Sequence, residues 1–356
     1  MLTMKSSLGA AVAVAALLVV SGCANPEGSG SGGPGSTSGG GQQTASNAAG
    51  PTCTIDAYGA TKVDFSKAIV GFSQSEAEAN PFRITETQSI TDEAQKQGVQ
   101  LLKRNANSNL SQQISDIQGL LAQGANLLIV APLNSEGLEP ALQAARDKHV
   151  PVVTIDRKLS SATACKDYLT FIGSDFVTQG KRAATQLVKA TNGTAKVAIL
   201  LGATGNNVTT DRTSGFTDYL KANAPNVQVV AQQTGDFTRE KGQSVTEQLL
   251  QAHPEITAIY AENDEMALGA VTAINGAGKK AGTDIKVFSV DGTKNVVQDI
   301  VSGTINGDVE SNPRFGPLAL STLKDFLDGK AIPQTITIQD KEYDSSNAAA
   351  QVGNAY

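Results

Sequence analysis

The sequence predicts an α/β fold of two lobes, each a parallel sheet flanked by helices, and three observations carry that expectation. Short β-rich runs alternate with helical patterns from Lys67 onward. The same rhythm restarts after residue 174. Corresponding runs of the two halves then end in an aspartate, Asp156 in "VPVVTID" and Asp291 in "IKVFSVD". Strand–helix–strand alternation implies parallel strands with helices on both faces. At 356 residues, with 40% hydrophobic side chains, the chain exceeds one typical domain of roughly 100 to 200 residues.

Each element follows from its own run. Met1 to Ser7 carry Lys5, an apolar stretch runs from Leu8 to Val20, and small residues lead to Cys23 in "VVSGCANP". Residues 1–23 therefore read as a lipoprotein signal peptide with Cys23 as the acylated residue, since the apolar stretch is short for a span of about 20 residues. Residues 24–66 read as a tether and N-terminal extension, because "GSGSGGPGSTSGGGQQTASNAAG" is too rich in Gly and Ser to pack a core. β-prone runs follow at 67–73, 99–104, 126–132 and 150–156, separated by helical patterns at 82–97, 111–123 and 136–148. After "YLTFIGSD", helical patterns at 177–191, 209–223, 239–252 and 264–277 alternate with β-prone runs at 195–202, 227–233, 256–264 and 285–292. Laid side by side, the halves place Asp156 opposite Asp291. Ligands of open parallel sheets bind outside the carboxyl ends of the strands, so two facing lobes direct both aspartates into one cleft.

Composition narrows the ligand. The formal net charge is −6 and no long Lys/Arg run occurs, which removes the electrostatic footprint of a nucleic-acid binder. Aromatics make up 4% and Trp is absent; grip must come from hydrogen-bonding side chains and a few Phe or Tyr, which favours a polar ligand. With Cys23 acylated, Cys53 and Cys165 are left as an even pair in an oxidising space, and a disulfide is preferred to two free thiols. The two histidines, in "KHVP" and "AHPE", lack ligand-like spacing, so no metal site is expected. "LLGATGNN" lacks both the P-loop lysine and the dinucleotide fingerprint, so it reads as a strand-to-helix turn. No G-x-S-x-G elbow occurs either, and with no catalytic or cofactor motif nominated the chain reads as a binding protein and not an enzyme.

Seven ordered motifs then carry a resemblance: "ANPFR", "TIDRK", "DRTSGF", "GDFTREKG", "YAENDEMALGA", "FSVDG" and "VESNPRFGP". In order and spacing they are similar to the ribose- and galactose-type periplasmic binding proteins of sugar ABC importers, and "GFSQ", "DFTR" followed by KG, and "VE" before the late proline match the galactofuranose-binding branch. The resemblance spans about 67–340. It implies a type I periplasmic binding protein, with two Rossmann-like lobes joined by three crossings: 67–174 with 312–334, and 175–311 with 335–356 including the tail. It also implies the site. Asn80, Phe82 and Arg83 supply first-lobe contacts, with Gln74 from the long loop region beside them and Phe82 lying against the apolar face of a sugar. Asp156 and Arg157 form a bidentate-capable pair, Arg212 comes from the second lobe, and Phe237 is the second stacking aromatic. Asn263 and Asp291 stand at strand ends, with Asp264 left to cap the following helix, and Glu310 to Asn312 lie at the third crossing. Ribose binders commonly carry a second phenylalanine where Arg83 stands and an asparagine where Ala131 stands, so contacts along one hydroxyl edge differ.

The residue types fit the chemistry. A vicinal diol presents donors and acceptors in pairs, which an arginine fork and two carboxylate oxygens satisfy together through charge-assisted bonds. The expectation is a monomeric, lipid-anchored extracytoplasmic protein that passes a monosaccharide, pentose or hexose and furanose forms included, to an ABC permease. Two alternatives share the fold: a sensor presenting its sugar to a membrane receptor, and a sugar-responsive repressor, which would need a basic helix-turn-helix where the signal and tether stand.

Overall fold

The computed structural model describes Gln43 and residues 45–356. Cys23 and most of the Gly/Ser tether lie outside the described residues. The described residues open with β1 (Ala45–Cys53) and the short α1 (Ile55–Tyr58), then run β2 (Ile69–Gln74), α2 (Pro81–Gln97), β3 (Gln100–Asn105), α3 (Leu110–Ala122), β4 (Leu127–Val130), α4 (Glu139–Asp147), β5 (Val152–Ile155) and β6 (Thr170–Gly173). A second set follows: α5 (Phe176–Ala190), β7 (Ala195–Leu201), α6 (Asn207–Asn223), β8 (Val227–Thr234), α7 (Arg239–Ala252), β9 (Ala258–Ala261), α8 (Asp264–Gly276), β10 (Lys286–Asp291), α9 (Lys294–Ser302) and β11 (Gly307–Glu310). The chain ends with α10 (Gly316–Leu327), β12 (Ile332–Ile338), β13 (Glu342–Asp344) and α11 (Ala348–Gln351).

Two sheets result. The first is ordered β1-β12-β6-β5-β4-β2-β3 and the second β13-β11-β10-β9-β7-β8. Every pairing is parallel except β1 with β12 and β11 with β13. The central strands explain why this sequence builds three layers per lobe. In "LLIV" of β4 all four residues are buried, and because side chains alternate across a strand, Leu127 and Ile129 enter the core under α2 and α10 while Leu128 and Val130 enter the one under α3 and α4. "AIYA" of β9 divides the same way, with Ala258 and Tyr260 on the α5–α6 side and Ile259 and Ala261 on the α7–α8 side. Strands apolar on both faces are what a parallel sheet covered on both sides requires.

The structure departs from the sequence reading in three places. Part of the tether is ordered: residues 45–50 belong to β1, which pairs antiparallel with β12 from Ala45↔Ile338 to Cys53↔Ile332. A strand of small residues, "ASNAAGPTC", needs no apolar core of its own when it borrows the edge of an existing sheet. The first lobe continues to 338 instead of ending at 334, because β12 pairs with β6 through Thr335↔Phe171 and Thr337↔Gly173. The crossing at Glu310–Asn312 is consequently the second in chain order, and the third falls between Ile338 and Glu342. Cys53 and Cys165 are bonded with Cα atoms 5.4 Å apart, inside the usual range of 4.4–6.8 Å, tying the end of β1 to the loop before β6.

The crossings share one buried polar knot. Asp340 accepts hydrogen bonds from Ser174 Oγ (3.2 Å) and Gln179 Nε2 (2.8 Å), and its backbone oxygen accepts from Arg182 Nη1 (2.8 Å). Burial outweighs these bonds and pushes the Asp340 carboxyl up to about 7. Glu262, buried under Gly202 and Thr213, is likewise pushed up to about 7. Between the ordinary carboxylate range and pH 7 the unfolded chain releases these protons while the folded chain keeps them, so stability falls as pH rises across that window. Thermal melts of the unliganded protein are expected to show Tm decreasing from pH 4 to pH 7, and Asp340→Asn is expected to remove about 2 to 4 kcal/mol of the fall. A variant with the unaltered pH slope would show that Asp340 ionises freely.

Candidate functional site

Both lobes present helix N-termini and strand ends to one cleft, and the same cap builds both walls. Asn80 precedes α2 and accepts from Arg83 N through its side-chain oxygen (2.9 Å), with Pro81 in the first turn. Asn263 precedes α8 and accepts from Met266 N (3.0 Å). Side-chain oxygens at this position satisfy donors that the first helical turn leaves unpaired. The sequence reading gave this cap to Asp264. Instead Asp264 is fully buried and accepts from Thr293 N (2.8 Å) and Thr293 Oγ1 (2.6 Å), while Asn263 caps the helix and lines the cleft at once.

The two strand-end aspartates share a backbone peculiarity. Asp156 has φ 64° and Asp291 has φ 153°, conformations that cost non-glycine residues of order 1–3 kcal/mol and tend to occur where a side chain must be aimed. Phe237, at φ 61°, adds a third. A Cβ on Gly202 would stand 2.0 Å from the Phe237 ring, so only glycine there lets the phenylalanine fold over the end of β7.

The first-lobe wall is a charge network. Arg83 Nε bonds Glu76 Oε2 (2.9 Å), and its Nη1 reaches Glu86 Oε2 (2.8 Å) and Asp156 Oδ2 (2.7 Å). Arg157 Nη2 bonds Glu76 Oε1 (2.8 Å) and its Nη1 donates to Leu133 O (2.9 Å), leaving Nε with no hydrogen-bond partner. Burial pushes the Glu76 carboxyl up, but the charges of Arg157 and then Arg83 outweigh it and hold the group down at about 2. In the second lobe Arg212 Nη2 lies 3.6 Å from Asp291 Oδ1, Nε donates to Gln179 Oε1 (2.9 Å), and Nη1 bonds the Glu262 backbone oxygen. Burial drives the Asp291 carboxyl well up from its ordinary value; Arg212 opposes this and Asp264 reinforces it.

Nine residues expected from the sequence line one cavity, with an empty volume of about 350 Å³ that includes its open mouth: Asn80, Phe82, Arg83, Asp156, Arg157, Arg212, Phe237, Asn263 and Asp291. Glu76 and Val208 complete its lining. Two expected residues are elsewhere. Gln74, 1% exposed, lies beneath α2 and donates to Glu86 Oε2 (2.8 Å) and Thr87 Oγ1 (3.2 Å), so it orients a carboxylate behind Arg83 instead of lining the cavity. Glu310 is fully buried in the crossing, accepting from Lys341 N (3.0 Å) and Tyr343 OH (3.2 Å). Its place is the crossing between the lobes.

Glu76 is the residue that sequence reasoning missed. A signal existed: three arginines converging on two strand-end aspartates leave one positive charge over, and the long loop "SQSEAEANPF" carries acids at 76 and 78. With Glu76 the cavity lining holds three guanidinium groups and three carboxylates, plus a phenylalanine from each lobe. Such a lining is balanced in formal charge, rich in paired donors and acceptors, and apolar on two sides. Paired polar groups between two aromatic faces suit one small polar ring.

The lobes meet over the cavity. Ser135 N donates to Gly205 O (2.9 Å), Asn207 N to Ser135 Oγ (3.0 Å) and Lys158 N to Asn207 Oδ1 (2.9 Å). These bonds join the two lobes through few groups.

Comparison with known proteins places this architecture among relatives. Residues 70–331 match the model of the periplasmic binding protein domain. The chain is 35% identical over 276 residues to the galactofuranose-binding protein YtfQ of Escherichia coli (strain K12), covering 76% of this chain and 85% of that one. It is 38% identical over 259 residues to the ribose import binding protein RbsB of Bacillus subtilis (strain 168), covering 72% and 81%. Among solved structures, the periplasmic binding protein component of the arabinose ABC transporter from Shewanella sp. ANA-3, bound to α- and β-L-arabinofuranose, superimposes with a TM-score of 0.77 at 35% identity, covering 80% of this chain and 94% of that one.

Proposed function

The chain belongs to the periplasmic binding protein domain family, with the type I fold, and from that premise we propose that it captures a monosaccharide in its furanose form between the lobes and delivers it to an ABC permease. One observation carries the reading: the cavity pairs three arginines with three carboxylates and closes a phenylalanine from each lobe over a space of about 350 Å³. Guanidinium forks and carboxylates bind vicinal hydroxyls in pairs, and the aromatic rings cover the C–H faces between them. The furanose preference is supported by relatives that bind galactofuranose and arabinofuranose by name. Where ribose binders commonly carry a second phenylalanine, Arg83 here brings a fork to three acids, which favours a ring with an extra hydroxyl-bearing arm.

In this reading Asn80, Arg83, Asp156, Arg157, Arg212, Asn263 and Asp291 bond the hydroxyls, while Phe82 and Phe237 enclose the ring. The ligand touches both lobes and stabilises the closed state by its differential contacts there. The protein works as a monomer outside the cytoplasm, held to the membrane by lipid on Cys23. Mass spectrometry of small molecules released from protein purified without added sugar, followed by calorimetry with L-arabinose, D-galactose and D-fucose, tests the ligand: a released pentose or hexose that rebinds is expected, and no binding across the panel with nothing released would overturn the reading. Cys23→Ser is expected to move the protein from the membrane to the soluble fraction. Retention of that variant on membranes would mean another anchor.

A further inference from the structure

We propose that Tyr356 is a positioning residue for this cavity: held on the second lobe, it braces Phe82 of the first lobe in the closed arrangement and so sets how long a bound sugar is retained. The inference rests on the sugar-binding reading only in taking Phe82 as a wall of the ligand site. Tyr356 lies beyond residues 70–331, which match the family domain.

The attachment to the second lobe is explicit. Lys294 N, at the start of α9, donates to Tyr356 O (2.6 Å), and Ala355 is buried in the core formed by α7, α8 and α9. From there the ring crosses to the first lobe. It meets Phe82 edge to face, with centroids 6.3 Å apart and planes at 77°, while the Arg314 guanidinium stands 5.7 Å from its centroid and bonds Ala355 O (3.4 Å). Phe82 is thereby fixed from two directions, by the Arg83 guanidinium of its own lobe at 5.1 Å and by Tyr356 of the other. Edge-to-face and cation–π contacts of this kind are each worth about a twofold to tenfold change in an equilibrium. The contact joins the lobes, so it favours closure, and the effect should fall on release more than on capture.

The hydroxyl separates this role from a hydrogen-bonding one. It is buried without a hydrogen-bond partner, close enough to Asp291, Asp264 and Asp308 that their charges, after burial itself, oppose its ionisation. With no protein hydrogen-bond partner, the hydroxyl adds nothing to the contact with Phe82. The ring alone is the working part, and Tyr356→Phe should keep the brace while Tyr356→Ala removes it.

The test measures association and dissociation rates of L-arabinose and D-galactose on the full chain, with hydrogen exchange of amides 84–88 in the unliganded protein. Tyr356→Ala is expected to speed dissociation by about tenfold with association changed by less than about twofold, and to speed exchange at the start of α2; Tyr356→Phe should match the wild type in both. Wild-type dissociation in the alanine variant would overturn the proposal, as would a Phe variant as impaired as the Ala variant. If the wild type binds neither sugar, the proposed function fails on that result, and the brace is then decided by exchange alone: faster exchange in Tyr356→Ala and not in Tyr356→Phe supports it, and equal exchange in all three overturns it.

Discussion

Arg83→Ala is expected to cost about 3 to 5 kcal/mol of folding stability and to abolish measurable sugar binding. Arg83 is the shared partner of Glu76, Glu86 and Asp156, and Glu86 and Asp156 are 0% and 5% exposed. Removing one cation leaves buried carboxylates facing one another without compensation, which is far more damaging than losing an exposed pair. Glu86 is already pushed up to about 7, by burial and by Asp156 against the pull of Arg83, so in the variant it should take up a proton and recover part of the loss at acid pH. Arg83→Lys should rescue little, because one ammonium lacks the planar fork that serves three acids at once. Urea unfolding at pH 7 and pH 5 measures all of this. A loss below about 1 kcal/mol at both values would mean that the acids are neutral or solvated and that the network is not the wall's support.

Legibility in the sequence followed the physics of each signal. The two-lobed α/β plan could be read because parallel strands buried on both faces leave unbroken apolar runs such as "LLIV" and "AIYA", and because the repeat set Asp156 opposite Asp291, both of which have positive φ, 64° and 153°. Nine cavity residues were legible because strand ends and helix starts are fixed by chain direction. What was not legible depended on partners distant in sequence. Gln74 looked like a cleft residue from its place at the end of β2, yet its amide turns under α2 to Glu86; nothing local distinguishes the two directions. Residues 45–50 read as tether because their own composition cannot build a core, and only the free edge of β12 makes them a strand. Glu310 stands at a strand end like Asp291 and in register with it, but β13 pairs beyond it and encloses it with Lys341 and Tyr343. Asp264 seemed the natural cap for α8, and the demand of Thr293 for an acceptor redirected it.

Asp291→Ala should behave in the opposite way to Arg83→Ala, losing binding while keeping the fold. In a cleft open to water a strand-end carboxylate would contribute little to stability, but Asp291 is 6% exposed and has Asp264 and Asp308 as neighbours in charge. Among the described residues Arg212 is its cationic partner in the cavity wall, at 3.6 Å, and divides its other donors between Gln179 and the Glu262 backbone. Three clustered acids facing one shared arginine are crowded, and burial holds both Asp291 and Asp308 well up from the ordinary carboxylate value. Deleting Asp291 relieves that crowding, so the unliganded melt at pH 7 should be unchanged or higher. Binding is another matter. In the proposed function a sugar hydroxyl bonds Asp291; in the variant it would face a methyl group, and Arg212 would lose the acceptor that orients its fork, a loss of about 2 to 4 kcal/mol or roughly 30- to 1000-fold in Kd. Asp291→Asn should fall between, retaining one acceptor oxygen and no charge. Calorimetry with the released sugar, alongside melts of the unliganded variants, separates the alternatives. Affinity preserved in Asp291→Ala would remove the residue from the sugar site, and a melt lowered in step with the affinity would make it a support of the second sheet, bound to its neighbours by shared protons and not repelled by their charge.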